Sequence, residues 1–318
     1  MANLNQLIKE LNKKGHIIKK AKEIQEEQKI KTGLFALDYI LDKGISQCEG
    51  GHRIEFFGAE SSGKTTVALY IIKKYQELNK TCAFIDAERS YDKHWGEIIG
   101  VDNDKLLVAL PETLEEAGDL LTELIPKVDL IVIDSIISLI PIGEAERDTA
   151  EVQMALSART NSLITRKIYN AIKGKFTTLI FINQLREKVG SYGNPFTTSG
   201  GHALKHLYNT RIEFKLGKPI ESGSGDNKER VGYEVVMRCV KNKKGKPHRV
   251  ASFDFYFNGY IDNIKSLFYS AVKYGIIERK GSYYVYKDIK EQGKDAFINK
   301  LKKDDWDKIE AEVWKNIN

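Results

Sequence analysis

Short apolar runs recur along the chain, and most of them end in a polar side chain. Four of them are Ile54–Phe57, Thr81–Asp86, Leu130–Asp134 and Thr178–Asn183. Continuous runs of this length are typical of strands buried on both faces of a parallel sheet. Segments with apolar residues at helical spacing lie between them, at Lys64–Leu78, Thr113–Ile125 and Leu156–Lys173. The alternation predicts a doubly wound α/β fold, in which the carboxyl ends of the strands share one ligand-binding edge.

The N-terminal segment follows a different pattern. Leu4, Leu7, Ile8 and Leu11 recur at helical spacing and form one apolar stripe. A lysine-rich stretch, 13–31, separates this helix from the apolar runs. Two readings stay open: the helix packs on its own core, or it docks on another subunit.

The region after residue 209 predicts antiparallel strands. Arg211–Leu216 and Glu234–Val240 have the composition of strands. The segment between them, 217–229, is polar and rich in glycine, so it is predicted as a loop.

The composition shifts after Asn258-Gly259, and residues 262–318 predict short helices with a tyrosine-rich hairpin at 281–287. A chain of 318 residues accommodates one large and one small domain at ~100–200 residues each. The predicted division is an N-terminal helix and linker at 1–30, a core at 31–261 and a small domain at 262–318.

Composition narrows the class of protein. The apolar stretch 130–142 is interrupted by Asp134, Ser135 and Ser138, so it is too short and too polar to span a bilayer. No secretory signal opens the chain. Three cysteines without paired spacing predict reduced thiols and a cytoplasmic protein without membrane partners. A net charge of +6 is compatible with a polyanionic partner, although many other proteins are equally basic.

Residues 58–65, GAESSGKT, match the phosphate-loop pattern G-x-x-x-x-G-K-[ST]. The segment follows a predicted strand and opens a predicted helix, which is the context that the motif requires. Glycines let backbone N–H groups turn toward phosphate oxygens, and the helix N-terminus favours an anion. Lys64 is predicted to contact the outer phosphates, and the Thr65 hydroxyl to bind Mg²⁺.

Polar side chains at three other strand ends are candidates for the same site. Asp134 ends the run LIVID, where it either caps a strand–helix junction or organises Mg²⁺, and the phosphate loop favours Mg²⁺. Glu88 follows the run TCAFID and either activates the attacking water or is a solvated loop residue. Gln184 follows TLIFIN and either senses the γ-phosphate or makes a strand-end hydrogen bond.

These residues stand in longer strings that resemble the bacterial RecA-type recombinase family, from about Lys31 to Ile261. The strings are GAESSGKTT (58–66), KTCAFIDAE (80–88), LIVIDS (130–135), LIFINQLREKVG (179–190), GNPFTTSGGHALK (193–205) and VKNK (240–243). The resemblance implies a RecA-like P-loop ATPase core with a twisted, mostly parallel sheet. It also implies an N-terminal oligomerisation helix and a small C-terminal α+β domain.

The resemblance assigns roles around ATP. Glu88 matches the catalytic carboxylate and Gln184 the nucleotide sensor. Lys241 and Lys243 match lysines that reach the ATP of the neighbouring subunit, although the basic run KNKKGKPHR (241–249) would otherwise read as a solvated hairpin or a nucleic-acid patch. The remaining predicted nucleotide ligands are Glu60, Ser61, Ser62, Gly63, Thr66, and, beside adenine, Asp92, Trp95 and Phe257.

The resemblance also implies two DNA-binding loops, at roughly 144–154 and 187–199. Glycine and proline in the second loop disfavour regular structure, while its hydroxyl side chains can bond phosphates. Apolar side chains in the family wedge between base triplets. The predicted DNA contacts are Met154, Arg159, Arg166, Arg186, Lys188, Val189, Thr198, Ser199, Gly200 and Gly201.

The implied function is homologous recombination: filaments on single-stranded DNA, pairing and strand exchange with duplex DNA, and DNA-stimulated hydrolysis of ATP. A ring-helicase-like motor of the same fold and a non-hydrolysing DNA coat are the alternatives. The sequence departs from the family at Phe196, where glutamate is common, and at His206, where phenylalanine is usual. The second loop is one residue short, and no acidic tail follows WDKIEAEVWKNIN, which suggests a phage or mobile-element member.

Overall fold

The structure is a computed structural model that describes residues 3–15, 18–23, 27–135, 138–142, 150–187, 196–198 and 201–317. Its helices are α1 (Leu4–Lys13), α2 (Phe35–Ile40), α3 (Lys64–Glu77), α4 (Lys93–Ile99), α5 (Leu114–Leu124), α6 (Ala150–Ala171), α7 (Gly201–Leu207), α8 (Asn263–Lys273), α9 (Lys294–Lys300) and α10 (Lys303–Asn316). The strands up to the second predicted DNA loop are β1 (Gln28–Ile30), β2 (Ile45–Gln47), β3 (Arg53–Gly58), β4 (Cys82–Asp86), β5 (Leu106–Ala109), β6 (Leu130–Asp134) and β7 (Thr178–Glu187). The later strands are β8 (Phe196–Thr198), β9 (Thr210–Ser222), β10 (Glu229–Asn242), β11 (Val250–Tyr256), β12 (Ile261–Asp262), β13 (Glu278–Lys280), β14 (Tyr283–Tyr286) and β15 (Ile289–Gln292).

One large sheet organises the described chain. Its strand order is β12-β11-β10-β9-β3-β7-β6-β4-β5, and β8 pairs with β7. Neighbouring strands in the series β9, β3, β7, β6, β4 and β5 are parallel. Strands β9, β10, β11 and β12 pair antiparallel and form a wing of the sheet. The predicted α/β class with a mostly parallel sheet is therefore confirmed.

Alternating side chains of the sheet supply two hydrophobic cores. On β4, Phe84 faces one core and Ile85 the other, and on β7, Ile180 and Phe181 divide in the same way. Helices α2, α3 and α8 cover the first face, and α5, α6 and α7 cover the second. Strands buried on both faces explain why these segments read as unbroken apolar runs.

The antiparallel wing is longer than predicted. The strands expected at Arg211–Leu216 and Glu234–Val240 are present and antiparallel, but they continue to Ser222 and start at Glu229. Most of the segment predicted as a loop is thus a hairpin. The side chains of residues 217–219, 221–225 and 227–229 are exposed, so no apolar alternation marks the extended strands in the sequence.

The C-terminal residues form a three-stranded antiparallel sheet, β13-β14-β15, with α9 and α10. The predicted hairpin at 281–287 is instead the central strand of this sheet, flanked by one hairpin on each side. Phe297 and Trp306 belong to the same hydrophobic cluster as α2, and the rings of Phe35 and Trp314 lie 5.4 Å apart. The division at 262 stays a prediction.

Helix α1 has no buried residue, and its Leu4 and Leu7 are exposed. Ile8 and Leu11 are half-buried, so the apolar stripe is only partly covered by the described part of its own chain. All three cysteines are buried free thiols. Among the described helices, none has the length and apolar character needed to cross a membrane.

A buried histidine just before β3 links β2 to β9 and β10 through hydrogen bonds. His52 Nδ1 accepts a hydrogen bond from the Ser46 backbone N–H at 3.1 Å. Its Nε2 therefore carries the proton and donates to Thr210 Oγ1 at 2.7 Å, and Thr210 donates to Asn242 at 3.2 Å. Burial, with smaller effects from nearby cations, lowers the pKa of His52 to about 3.

We expect this histidine to make stability depend on pH. Protonation must break the bond from Ser46, so the stabilising contribution is complete above the unfolded pKa of about 6.5 and is lost as pH falls toward the folded value. The free energy of unfolding in urea should fall by about 1.4 kcal/mol per pH unit below about pH 6.5. His52→Asn keeps an acceptor but does not titrate, so its slope should be shallower by that amount, and equal slopes would contradict the assignment.

Candidate nucleotide and DNA site

The phosphate loop connects β3 to α3, and its backbone conformation requires the residues found there. Gly63, the residue before α3, has a φ of 90°, a left-handed conformation that favours glycine. A Cβ on Gly58 would lie 2.2 Å from the carbonyl oxygen of Phe214 on β9, so only glycine fits. The loop thus sits at the carboxyl edge of the parallel strands, as predicted.

Lys64 folds back over its own loop. Its Nζ donates to the carbonyl oxygens of Ala59 at 2.7 Å and Gly58 at 3.2 Å. Burial lowers the pKa of this ammonium, while the carboxylates of Asp134 and Glu88 oppose the shift. Its partners in the loop are neutral carbonyls, so the positive charge is available to an anion.

Thr65, in the first turn of α3, meets Asp134 at the carboxyl end of β6. Thr65 Oγ1 donates to Asp134 Oδ2 at 2.7 Å. Burial raises the pKa of Asp134 to about 6; the bond from Thr65 opposes this, and the nearby carboxylate of Glu88 adds to it. A hydroxyl and a carboxylate in contact are hard oxygen donors of the kind that Mg²⁺ prefers.

Glu88 is held from three directions. Its Oε1 accepts hydrogen bonds from the hydroxyls of Ser135 and Ser138, each at 2.7 Å, and from Gln184 Nε2 at 3.4 Å. Its backbone N–H donates to the Asp134 carbonyl at 3.2 Å. The strand ends thus bring the predicted Glu88, Asp134 and Gln184 together.

Asp86 and the two serines were not predicted as site residues. Asp86 is buried at the end of β4, and its carboxylate accepts the backbone N–H groups of Ser90 and Tyr91 at 3.0 and 2.9 Å. These bonds shape the turn that carries Glu88. Their positions in the sequence could have identified them as site residues, because Asp86, Ser135 and Ser138 lie at or just beyond the same sheet edge.

An aromatic cavity adjoins the phosphate loop. It has a volume of about 460 Å³ and is lined by residues 61–66 together with Trp95, Tyr233, Phe255 and Phe257. The Tyr233 and Phe257 ring centroids are 6.0 Å apart, and those of Trp95 and Phe255 are also 6.0 Å apart. Its size and flat walls suit a nucleobase.

Two of the three predicted adenine contacts line this cavity. Trp95 and Phe257 line it, whereas Asp92 caps α4 by accepting the backbone N–H groups of His94 and Trp95 at 2.8 and 3.1 Å. Tyr233 and Phe255 were missed. The alternation of a strand offered a signal for Phe255, which lies two residues before Phe257.

Lys241 and Lys243 lie away from the phosphate loop of their own chain. Lys241 is opposite Arg211, and Arg211 is opposite Glu55, three residues before Gly58. That register places the lysine roughly 10 Å back along the sheet and two strands to the side. Lys241 Nζ donates to the Lys205 carbonyl oxygen at 2.8 Å, and Lys243 is exposed.

The predicted DNA residues are only partly within the described chain. Arg159 and Arg166 are exposed on α6, whose opposite face buries Ile164 and Ile168. Thr198 pairs with Leu185 between β8 and β7, and Gly201 starts α7. Residues Lys188, Val189, Ser199 and Gly200 lie outside the described residues, as do the side chains of Met154 and Arg186.

Comparison with known proteins gives one consistent result. The family model described as RecA N-terminal domain matches residues 1–262. Protein RecA of Chlamydia pneumoniae is 39% identical over 293 residues, which cover 91% of this chain and 81% of that protein. Protein RecA of Acidothermus cellulolyticus is 40% identical over 290 residues, 89% of this chain and 82% of that protein. The chain therefore belongs to the RecA family, the DNA-dependent ATPases of homologous recombination.

Proposed function

We propose that this chain assembles as a filament on single-stranded DNA, with ATP and Mg²⁺ between subunits, and exchanges strands with duplex DNA. The observation that carries the proposal is the hydrogen bond from Gln184 Nε2 to Glu88 Oε1. It joins a carboxylate beside the phosphate loop to β7, the strand that leads to the second predicted DNA loop.

The side chains around the loop fit a magnesium nucleotide. Lys64 would exchange its carbonyl partners for phosphate oxygens, and backbone N–H groups at the start of α3 would hold the rest. Thr65 and Asp134 would hold Mg²⁺, which neutralises charge on the phosphates. Trp95, Tyr233, Phe255 and Phe257 would enclose the base.

Glu88 would orient the attacking water and accept its proton. The hydrogen bonds from Ser135 and Ser138 fix the carboxylate, and Gln184 donates a third hydrogen bond to it. When the γ-phosphate is present, the Gln184 amide has a second acceptor within the site. We infer that this exchange moves the end of β7 and with it the loop that follows.

Lys241 and Lys243 would act on the nucleotide of the neighbouring subunit. Their place in the sheet supports this, since the strand register puts them away from their own phosphate loop. Positive charge from a neighbour would stabilise the transferring phosphoryl group as an arginine finger does. ATP then bridges two subunits, which links nucleotide state to the filament, and the exposed stripe of α1 is a further proposed subunit contact.

Arg159 and Arg166 would contact the DNA backbone from the exposed face of α6. The other predicted contacts are Arg186, Lys188, Thr198, Ser199, Gly200 and Gly201 for phosphates, and Met154 and Val189 for the gaps between bases. Phosphate contacts carry little sequence information, so we expect weak sequence preference and strong salt dependence.

The catalytic role of Glu88 predicts a loss of turnover without a loss of binding. Glu88→Gln should reduce ATP hydrolysis by about 10²- to 10⁴-fold, because the base is removed, while ATP binding and assembly on single-stranded DNA persist. Turnover and DNA binding would be measured side by side. The matched control is Glu123→Gln, at an exposed glutamate of α5, which should hydrolyse ATP and exchange strands normally. Full turnover by Glu88→Gln would refute the role.

Action across the subunit interface predicts complementation between two inactive variants. Lys64→Ala lacks the phosphate loop lysine, and Lys241→Met lacks the neighbour's lysine, so each alone should be inactive. In an equal mixture, about a quarter of the interfaces join an intact loop to an intact Lys241, because head-to-tail contacts form at random. DNA-stimulated hydrolysis should return to about that fraction of the unmodified chain. A mixture as inactive as its components would contradict the proposal.

A further inference from the structure

Glu55 is a fully buried carboxylate in the centre of the large sheet. Its Oε1 accepts a hydrogen bond from Asn183 Nδ2 on β7 at 2.8 Å, and its Oε2 accepts one from Arg211 Nε on β9. The two strands that flank β3 thus each contribute one donor. A charge buried this completely destabilises the fold unless it is paired and hydrogen-bonded, so the contacts constrain both neighbours.

Aromatic rings confine the pair. The Arg211 guanidinium lies over the ring of Phe57, 4.9 Å from its centroid, and Phe57 is on the same face of β3 as Glu55. Tyr208, immediately after α7, is buried nearby, and burial followed by the Glu55 charge raises its pKa. The network therefore lies beneath the helix that follows the second predicted DNA loop.

Each strand in this network continues into a different part of the proposed machinery. Glu55 precedes Gly58, where the phosphate loop begins, by three residues. Asn183 precedes Gln184 directly. Arg211 is opposite Lys241 in the register of β9 and β10.

Replacing a buried ion pair by apolar residues is often neutral for stability, so stability alone does not account for one here. A paired charge does restrict how its partners sit, because donor and acceptor directions must be met. We propose that Glu55 is a positioning residue for the DNA-stimulated reaction, since it holds Asn183 of β7 and Arg211 of β9 on the strand that ends in the phosphate loop. The proposal rests on the proposed function, in which Gln184 and Lys241 act on ATP.

The test removes the whole pair rather than half of it. Glu55→Gln/Arg211→Met removes both charges, whereas Glu55→Gln alone takes the buried carboxylate away from the Arg211 cation and should lower Tm by roughly 10 °C. The matched control is Asp254→Asn/Lys265→Met, which removes an ion pair between β11 and α8. Tm, the KM for ATP, and kcat with and without single-stranded DNA are measured for each full-length variant.

We expect Glu55→Gln/Arg211→Met to keep Tm within a few degrees, the KM for ATP and the basal kcat. Its DNA-stimulated kcat should fall by about 10- to 100-fold, because displacements near 1 Å have effects of that size. The control should keep full stimulation. Stimulation equal to the unmodified chain, or a loss shared by the control, would overturn the proposal.

A second variant keeps the proposal testable if the double variant does not fold. Arg211→Lys keeps the charge but cannot reproduce the Nε geometry, so it should lose stimulation while Tm stays within a few degrees. Retained stimulation in Arg211→Lys would overturn the proposal. If the unmodified chain shows no DNA-stimulated hydrolysis, the proposed function itself fails, and that result is obtained before any variant is compared.

Discussion

The site depends on how three parallel strands end at one edge. Glu88 follows β4 and Gln184 lies near the carboxyl end of β7, and in the sheet these strands are separated by β6. The carboxylate therefore reaches Gln184 across the end of β6, where Ser135 and Ser138 hold it. Asp134 on that middle strand faces Thr65 at 2.7 Å. A shift of one strand against another would separate the proposed catalytic base, the proposed metal ligands and the proposed sensor together.

The pleat of β7 lets one strand serve two purposes. Gln184 contacts Glu88 at the open edge, while Asn183, the residue before it, bonds to buried Glu55. The first contact is accessible to nucleotide chemistry, and the second is enclosed among packed side chains that resist displacement. Rigid support at Asn183, next to a contact at Gln184 that a nucleotide could replace, is a physical basis for the proposed transmission of nucleotide state along β7.

Much of this arrangement could be read from the sequence, because strands buried on both faces leave unbroken apolar runs and the phosphate loop has a fixed pattern. Position at strand ends identified Asp134, Glu88 and Gln184. Tyr233, Ser135 and Ser138 were not predicted as site residues. Their proximity to the phosphate loop and Glu88 depends on the order of the strands in the sheet, and part of the antiparallel wing has no apolar alternation in its sequence. The buried network of Glu55 was not predicted, because a glutamate in an apolar run does not indicate its hydrogen-bond partners. Those partners, Asn183 and Arg211, are distant in sequence. The proposed roles of Lys241 and Lys243 concern a second subunit, about which the strand pattern of one chain carries no information.

The most direct test of the account concerns Gln184. Steady-state ATP hydrolysis by Gln184→Ala would be compared with that of the unmodified chain, with and without single-stranded DNA. Because Glu88 keeps its bonds from Ser135 and Ser138, basal turnover and the KM for ATP should persist. Stimulation by DNA should be lost, since the link from the carboxylate to β7 is removed. Undiminished stimulation in Gln184→Ala would contradict the claim that this contact couples the nucleotide site to DNA.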